Sequence, residues 1–273
     1  MNRNKKFRLG TGILATLILL AGGAVAQDSQ RLVVPLSNPG SPATLKASLM
    51  SVSLLVTAYE GNEIVVVITH EADDGKLERR DGMTRIPNSS IGLSIEERGN
   101  IVEISNDWSH KAARIEIQVP TDTSLELSTV NGGELEVEGV SGTHELQNVN
   151  GGIRAINISG TLVASTTNGD VTVSFRSLDA GTPMSFSTFN GNVDLTLPVG
   201  TAAKLLLSSG RGDILTDFDI VLEPQEAKIT RSEDERGYRV RIEKQVVGRI
   251  NGGDTEFRIK TYNGDIYVRK SGG

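Results

Sequence analysis

Between residues 133 and 173 the apolar positions hold fixed places relative to a recurring glycine. Gly133, Gly142, Gly151, Gly160 and Gly169 stand nine residues apart. The second, fourth and seventh positions after each glycine read Leu135, Val137, Val140; His144, Leu146, Val149; Ile153, Ala155, Ile158; Leu162, Ala164, Thr167; and then Val171, Val173. Twelve of these fourteen are apolar, and mostly Glu, Thr, Ser, Asn, Gln, Asp and Gly fill the places between. A constant period of this kind predicts a repeat architecture in which one short unit stacks on copies of itself.

The corners alternate. Asn150-Gly151 and Asn168-Gly169 lie eighteen residues apart, and so do Ser141-Gly142 and Ser159-Gly160. Asn-Gly is the pair best able to take φ > 0 at a tight corner. Two nine-residue strands per turn of a flattened coil would stack Asn-Gly corners on one edge and Ser-Gly corners on the other. Leu135 then lies beneath Ile153 and Val171, Val137 beneath Ala155 and Val173, and Leu146 beneath Ala164. An antiparallel meander of nine-residue hairpins would alternate its corners too. The inward set changes parity between its fourth and seventh positions, however, which a straight strand cannot do, and this favours the solenoid. The expected fold class is therefore all-β, a single-chain β-solenoid (β-helix-like) of stacked nine-residue strand–turn units.

One phrase recurs with longer spacers: Thr129-Val130-Asn131-Gly132, Thr166-Thr167-Asn168-Gly169, Thr188-Phe189-Asn190-Gly191 and Thr261-Tyr262-Asn263-Gly264. The last three run into alternating strands at Val171/Val173, Val193/Leu195 and Ile266/Val268. Upstream, Val52, Leu54, Val56 and Ala58 alternate with Ser53, Leu55 and Thr57, a strand with one apolar face. Residues 64–68 form an unbroken apolar run that predicts a strand buried on both faces. The charged, glycine-punctuated stretch 71–90 predicts a surface loop, and residues 221–244 a charged protruding hairpin with Arg236-Gly237 near its tip.

Residues 1–26 predict a signal peptide. Arg3, Lys5, Lys6 and Arg8 precede an apolar run from Leu9 to Leu20, and Ala24-Val25-Ala26 fits the cleavage rule. That run is too short and glycine-rich to span a bilayer comfortably. No cysteine lies near the cleavage site, so a lipoprotein anchor is excluded. Loss of the four basic residues takes the formal charge from −6 to −10. Such an acidic chain repels phosphate backbones, so no nucleic-acid partner is expected. Absence of cysteine removes disulfides as staples. The expected organisation is a signal peptide at 1–26, an N-terminal β-strand region at 27–125 with its loop near 71–90, and a solenoid region at 126–273 with its hairpin near 221–244. The ending Arg269-Lys270-Ser271-Gly272-Gly273 shows neither a membrane-barrel terminus nor a hydrophobic tail, which predicts periplasmic, outer-surface or secreted protein rather than integral insertion.

With its signal peptide, the chain carries Leu-Glu-Leu-Ser-Thr-Val-Asn-Gly-Gly at 125–133, Val-Glu-Gly-Val-Ser-Gly at 137–142 and Asn-Val-Asn-Gly-Gly-Ile at 148–153. Met-Ser-Phe-Ser-Thr-Phe-Asn-Gly follows at 184–191, Asp-Phe-Asp-Ile at 217–220, and Thr-Tyr-Asn-Gly-Asp-Ile-Tyr-Val-Arg-Lys at 261–270. In these motifs it resembles the bacterial exported β-strand-repeat family often called putative adhesins. The resemblance covers nearly the whole mature chain and implies a β-helix-like solenoid of the cell envelope. It carries over no catalytic residues, because that family has no agreed catalytic motif.

The candidate chemistry is sparse. His144 occupies an inward position filled by Leu, Ile or Val in other units, and the expected role is a core histidine bonded to a backbone carbonyl. His70 and His110 are far off in sequence, so no metal-ligand spacing appears. Arg211-Gly212-Asp213 spells a receptor-binding tripeptide, but Arg211 takes the place that Asn has in the Asn-Gly-Asp corners, which predicts a degenerate corner. The calcium β-roll pattern lacks its middle Gly-x-Asp here. No nucleophile elbow, phosphate loop or nucleotide fingerprint occurs. No catalytic, cofactor or metal residue is therefore assigned, and the expectation is a non-catalytic structural or adhesin-like module whose partner is an envelope polysaccharide or protein. The alternative is a carbohydrate-active enzyme, a lyase or hydrolase, using outward groups such as Glu134, Glu136, Glu138, Glu145, Arg154 and Asp170.

Overall fold

The computed structural model describes residues 29–70, 79–80, 83–84, 92–107, 113–179, 181–224, 228–234, 237–243 and 245–272. Every regular element among them is a β-strand. The expected signal peptide and most of the 71–90 loop lie outside the described residues, apart from the paired dipeptides Arg79–Arg80 and Met83–Thr84.

A coil consists of a strand on one face, a corner, and a strand on the second face. Thr123–Val130 turns at Asn131 into Leu135–Glu138, and Ser141–Asn150 turns at Gly151 into the first half of Ile153–Asn168. Neighbouring coils pair in parallel through this region, as in Ser141↔Ser159 and Ile153↔Val171, so residues 142–175 are not hairpins. Leu135, Ile153 and Val171 fall in line, as do Val137, Ala155 and Val173. The long strand Ile153–Asn168 passes from one face to the other, with Asn157 at φ 52° and Gly160 at φ 99° turning the chain. This crossing helps to join twenty strands into one wrapped sheet.

The spacing is not uniform. Stacked residues are 18 apart at Ser141↔Ser159, 19 at Leu125↔His144, 22 at Val171↔Val193 and 73 at Val193↔Ile266. Corners absorb the extra residues of the 19- and 22-residue steps because they sit outside the ladders, where added chain breaks no strand pairing. The 73-residue step instead spans a further coil.

The coils also stack out of chain order. Ala43–Met50 lies between Ile101–Asn106 and Thr123–Val130, and Val52–Tyr59 lies between Ala113–Pro120 and Leu135–Glu138. The coil 43–59 is thus inserted inside the coil 101–120 that follows it. At the far end Glu256–Thr261 lies between Met184–Ser187 and Ala203–Ser209, while Ile266–Lys270 lies between Val193–Leu197 and Ile214–Thr216. The last coil of the chain is therefore the penultimate coil of the stack. Antiparallel strands close both ends: Ser29–Pro35, Glu63–His70 and Leu93–Arg98 at one, Val246–Ile250 and Ile220–Glu223 at the other. Lys228–Asp234 and Gly237–Glu243 form a separate hairpin closing at Asp234↔Gly237.

Between the two faces runs one continuous core of apolar columns. Ile115, Leu54, Leu135, Ile153, Val171, Val193 and Ile266 form one of them, each at most 1% exposed. Each coil is thin and fills its interior with aliphatic side chains such as Leu125, Leu127, Leu135 and Val137, so few aromatic residues are needed.

Candidate functional site

The recurrent phrase Thr-x-Asn-Gly builds the corner between the two faces of a coil, and its residues bind the coil next door. The hydroxyls of Thr166, Thr188 and Thr261 donate to the carbonyls of Gly151, Gly169 and Gly191 at 2.7–2.8 Å. Asn148 fills the same place in its coil, and its Nδ2 donates to the Gly133 carbonyl at 2.8 Å. The asparagines form a ladder: Asn150 donates to Asn131, Asn168 to Asn150, Asn190 to Asn168 and Asn263 to Asn190. The glycine takes φ 141° at Gly169 and 151° at Gly191, where an added Cβ would stand 2.5 and 2.1 Å from a carbonyl oxygen of the preceding coil. The residue after the glycine completes the set, since Asp170 Oδ1 accepts from the Asn192 N–H, Asn192 Oδ1 from the Asp265 N–H, and Asp265 Oδ1 from the Asp213 N–H, at 2.7–2.8 Å.

This edge faces solvent with its side chains fixed. The x positions of successive coils form an outward column, Val149, Thr167, Phe189 and Tyr262. This corrects the inward placement of Val149 and Thr167, because the seventh position turns inward only at the Ser-Gly corners, as at Val140 and Ile158. Phe189 and Tyr262 are 51% and 43% exposed, and their rings stack with centroids 4.9 Å apart and planes within 7°. The Arg211 guanidinium lies 5.5 Å from the Tyr262 ring centre. Sequence reasoning picked out both phrases but missed the ring pair, because 73 residues separate Phe189 from Tyr262. The signal was the shared x position within one repeated phrase.

Arg211-Gly212-Asp213 is a corner of the same kind. Ser209 pairs with Thr261, which sets Arg211 beside Asn263 and Gly212 beside Gly264, where a Cβ would meet the Gly264 carbonyl oxygen at 2.0 Å.

His144 is 2% exposed on the inward side, between Leu125 and Leu162. Neither ring nitrogen has a hydrogen-bond partner, which corrects the expectation of a carbonyl-bonded histidine. Burial pushes the His144 pKa down to about 4, against a weaker upward pull from the Ser159 and Val140 carbonyls.

The outward carboxylates spread over two faces. Glu103, Glu126 and Glu145 line an open hollow of about 370 Å³ with Lys46, whose Nζ pairs with Glu126 at 2.8 Å. The Lys46 pKa is raised, chiefly by that Glu126 bond. Glu136, Glu138 and Arg154 line a smaller hollow of about 110 Å³ on the other face. The two sets are not brought together. Among the described residues no three His, Cys, Asp or Glu converge as a metal site.

The family model of Toastrack DUF4097 matches residues 58–269. The chain belongs to this family. Among solved structures, the Toastrack chain is similar to a putative cell adhesion protein from Clostridium sporogenes at 13% identity and TM-score 0.48, covering 89% of this chain and all of the other. It is also similar to a putative adhesin from Bacteroides fragilis, at 11% identity and TM-score 0.37, covering 90% of this chain and 98% of that one. A putative adhesin from Parabacteroides merdae matches at 10% identity and TM-score 0.21, over 89% and 96% of the two chains. No curated protein matches the chain. Among the described residues no helix is long and apolar enough to cross a membrane.

Proposed function

We propose that this Toastrack chain is an exported, non-catalytic binding module, adhesin-like in role, that holds an extended partner in the cell envelope. In this reading residues 1–26 are removed near Ala26, residues 27–125 form an N-terminal strand region, and the nine-residue units are the most regular part of the solenoid at 126–273. The observation that carries it is the hydrogen-bonded corner edge. Five asparagines in an unbroken ladder hold outward side chains at intervals of about 4.8 Å, one per coil. A rigid, repeating surface suits a long ligand, because little side-chain freedom is lost on binding.

The second reading, a polysaccharide-cleaving enzyme, rests on the Glu103, Glu126 and Glu145 carboxylates around one hollow. Glycoside chemistry needs one carboxyl as acid and another as base or nucleophile across a bound sugar. Here Lys46 is tied to Glu126 by a salt bridge, and the hollow is open.

Two measurements test the proposal. Cross-linking in intact cells, followed by identification of what co-purifies, should recover one envelope component in defined amounts, with the mature chain starting at Gln27 in the periplasmic or outer fractions. Incubation with envelope polysaccharides should yield no new reducing or unsaturated ends. Degradation that Glu126→Gln or Glu145→Gln abolishes would establish the enzyme reading instead.

A further inference from the structure

The corner edge offers a stacking site with one end closed and the other open. Tyr262 lies between Phe189 and the Arg211 guanidinium, so both of its faces are occupied. Phe189 has Tyr262 on one side only. On the other side its neighbour in the column is Thr167, followed by Val149, both exposed and neither aromatic. The short Thr167 leaves a step one coil high beside the free face of Phe189. Next to that step stand Asn150, Asn168 and Asn190. Each uses one N–H and one lone pair of its amide in the ladder, which leaves an N–H and a lone pair of each amide for a ligand.

We propose that this step binds a neutral polysaccharide, with one sugar ring on Phe189 and its hydroxyls on the Asn168 and Asn150 amides. The argument rests on the binding-module reading above and names its site and ligand class. Three observations favour a sugar. A pyranose presents an apolar C–H face that continues an aromatic stack, and the C–H edges are drawn to the negative face of the ring. Its hydroxyls both donate and accept, matching an amide row that offers both along a line. The charge favours a neutral polymer: Asp170, Asp213 and Asp265 flank the edge, against Lys260 and an Arg211 engaged over Tyr262. Two of the chain's eleven aromatic residues are placed on this edge in water, although the core itself uses few. Rings needed only to stabilise the stack would gain more by facing inward.

The test is native affinity electrophoresis of the mature chain (27–273) in gels containing hydroxyethyl cellulose, xyloglucan, galactomannan or mixed-linkage β-glucan, beside gels containing alginate or polygalacturonate. The variant is Phe189→Thr/Tyr262→Thr, which places in both coils the residue that the column already carries at Thr167. At least one neutral polymer should retard the wild type, and the double variant should bind it roughly tenfold more weakly. Circular dichroism melts of the two proteins should lie within a few degrees, separating loss of the site from loss of the fold. Equal retardation of both proteins would show that the polymer binds elsewhere; the site assignment would fall and the module reading would stand. Retardation by the anionic polymers alone would overturn the ligand class. No retardation in any gel would overturn the proposal as a whole. The cross-linking experiment then decides the module reading separately, by whether an envelope component is captured.

Discussion

The unpartnered His144 ties the stability of the middle coils to pH. Its pKa is about 4 when folded and 6.5 in its ordinary state, so the unfolded chain takes up a proton first as the pH falls. Stability from this group is complete above pH 6.5 and declines by about 1.4 kcal/mol per pH unit below it. The loss levels off near pH 4, after a total of roughly 3 kcal/mol. At pH 5 about 2 kcal/mol is gone, which lowers the melting temperature of a chain this size by roughly 4–8 °C. Replacing His144 by Leu removes the effect. Leucine already stands above and below it, at Leu125 and Leu162, and the substitution takes two unpaired nitrogens out of the core. His144→Leu should therefore be as stable as the wild type at pH 7.5, or more so by about 1 kcal/mol. Its melting temperature should fall less steeply between pH 6.5 and 4.5. Carboxylates elsewhere titrate in both proteins, so the measurement is the difference between two urea or thermal melting series at matched pH. Parallel curves across that range would refute the reasoning, as would a nuclear magnetic resonance titration placing His144 near 6.5 in the folded protein.

Three further outcomes follow from the corners, the core and the coil order. Gly191→Ala should cost about 2–4 kcal/mol, because φ is 151° and the new Cβ would stand 2.1 Å from the Gly169 carbonyl oxygen; an unchanged urea midpoint would show that the corner yields. Ile153→Asp should lose several kcal/mol by burying an unpaired carboxylate, whereas Glu136→Thr, on the outward side of its strand, should stay within about 0.5 kcal/mol; equal melting temperatures would mean that the inward set is misassigned. Deleting residues 255–273 should make the whole of 184–250 sensitive to limited proteolysis rather than trimming an end, since the missing coil lies inside the stack. A protease-resistant core still extending through Ile250 would contradict this.

Features of the molecule were legible in the sequence where the physics is local. Period-two alternation predicted strands such as Val52–Tyr59, and the inward columns through Leu135, Ile153 and Val171 followed from residue spacing alone. The phrase Thr-x-Asn-Gly marked the corners because its residues bind the neighbouring coil rather than their own. His144 was placed correctly on the inward side. Its lack of a partner was not legible, because spacing does not fix the distance and angle between a ring nitrogen and a backbone carbonyl. The Phe189–Tyr262 pair was hidden for a different reason, since it depends on which coils are neighbours.

The order of the coils is itself encoded, though by exceptions to the repeat. Every coil has nearly the same register and an apolar interior, so burial alone does not decide which stacks on which. The amide ladder discriminates. An asparagine both donates and accepts, and so can stand anywhere inside a ladder. Arginine has donors only, and so fits only where a ladder ends. Had the coils stacked in chain order, Arg211 would separate Asn190 from Asn263 and break the run. In the folded chain Asn263 donates directly to Asn190, and Arg211 falls outside both, over the Tyr262 ring. At the opposite end Asn131 stands beside Ser51, whose shorter side chain lacks the planar amide and closes the ladder there. The five asparagine corners thus form one uninterrupted block, bounded by the two corners that cannot continue it. Inserting the last coil into the penultimate place keeps that block whole and brings Tyr262 onto Phe189. Arg211, which looks like a defect in the repeat, stands at the end of that block rather than within it.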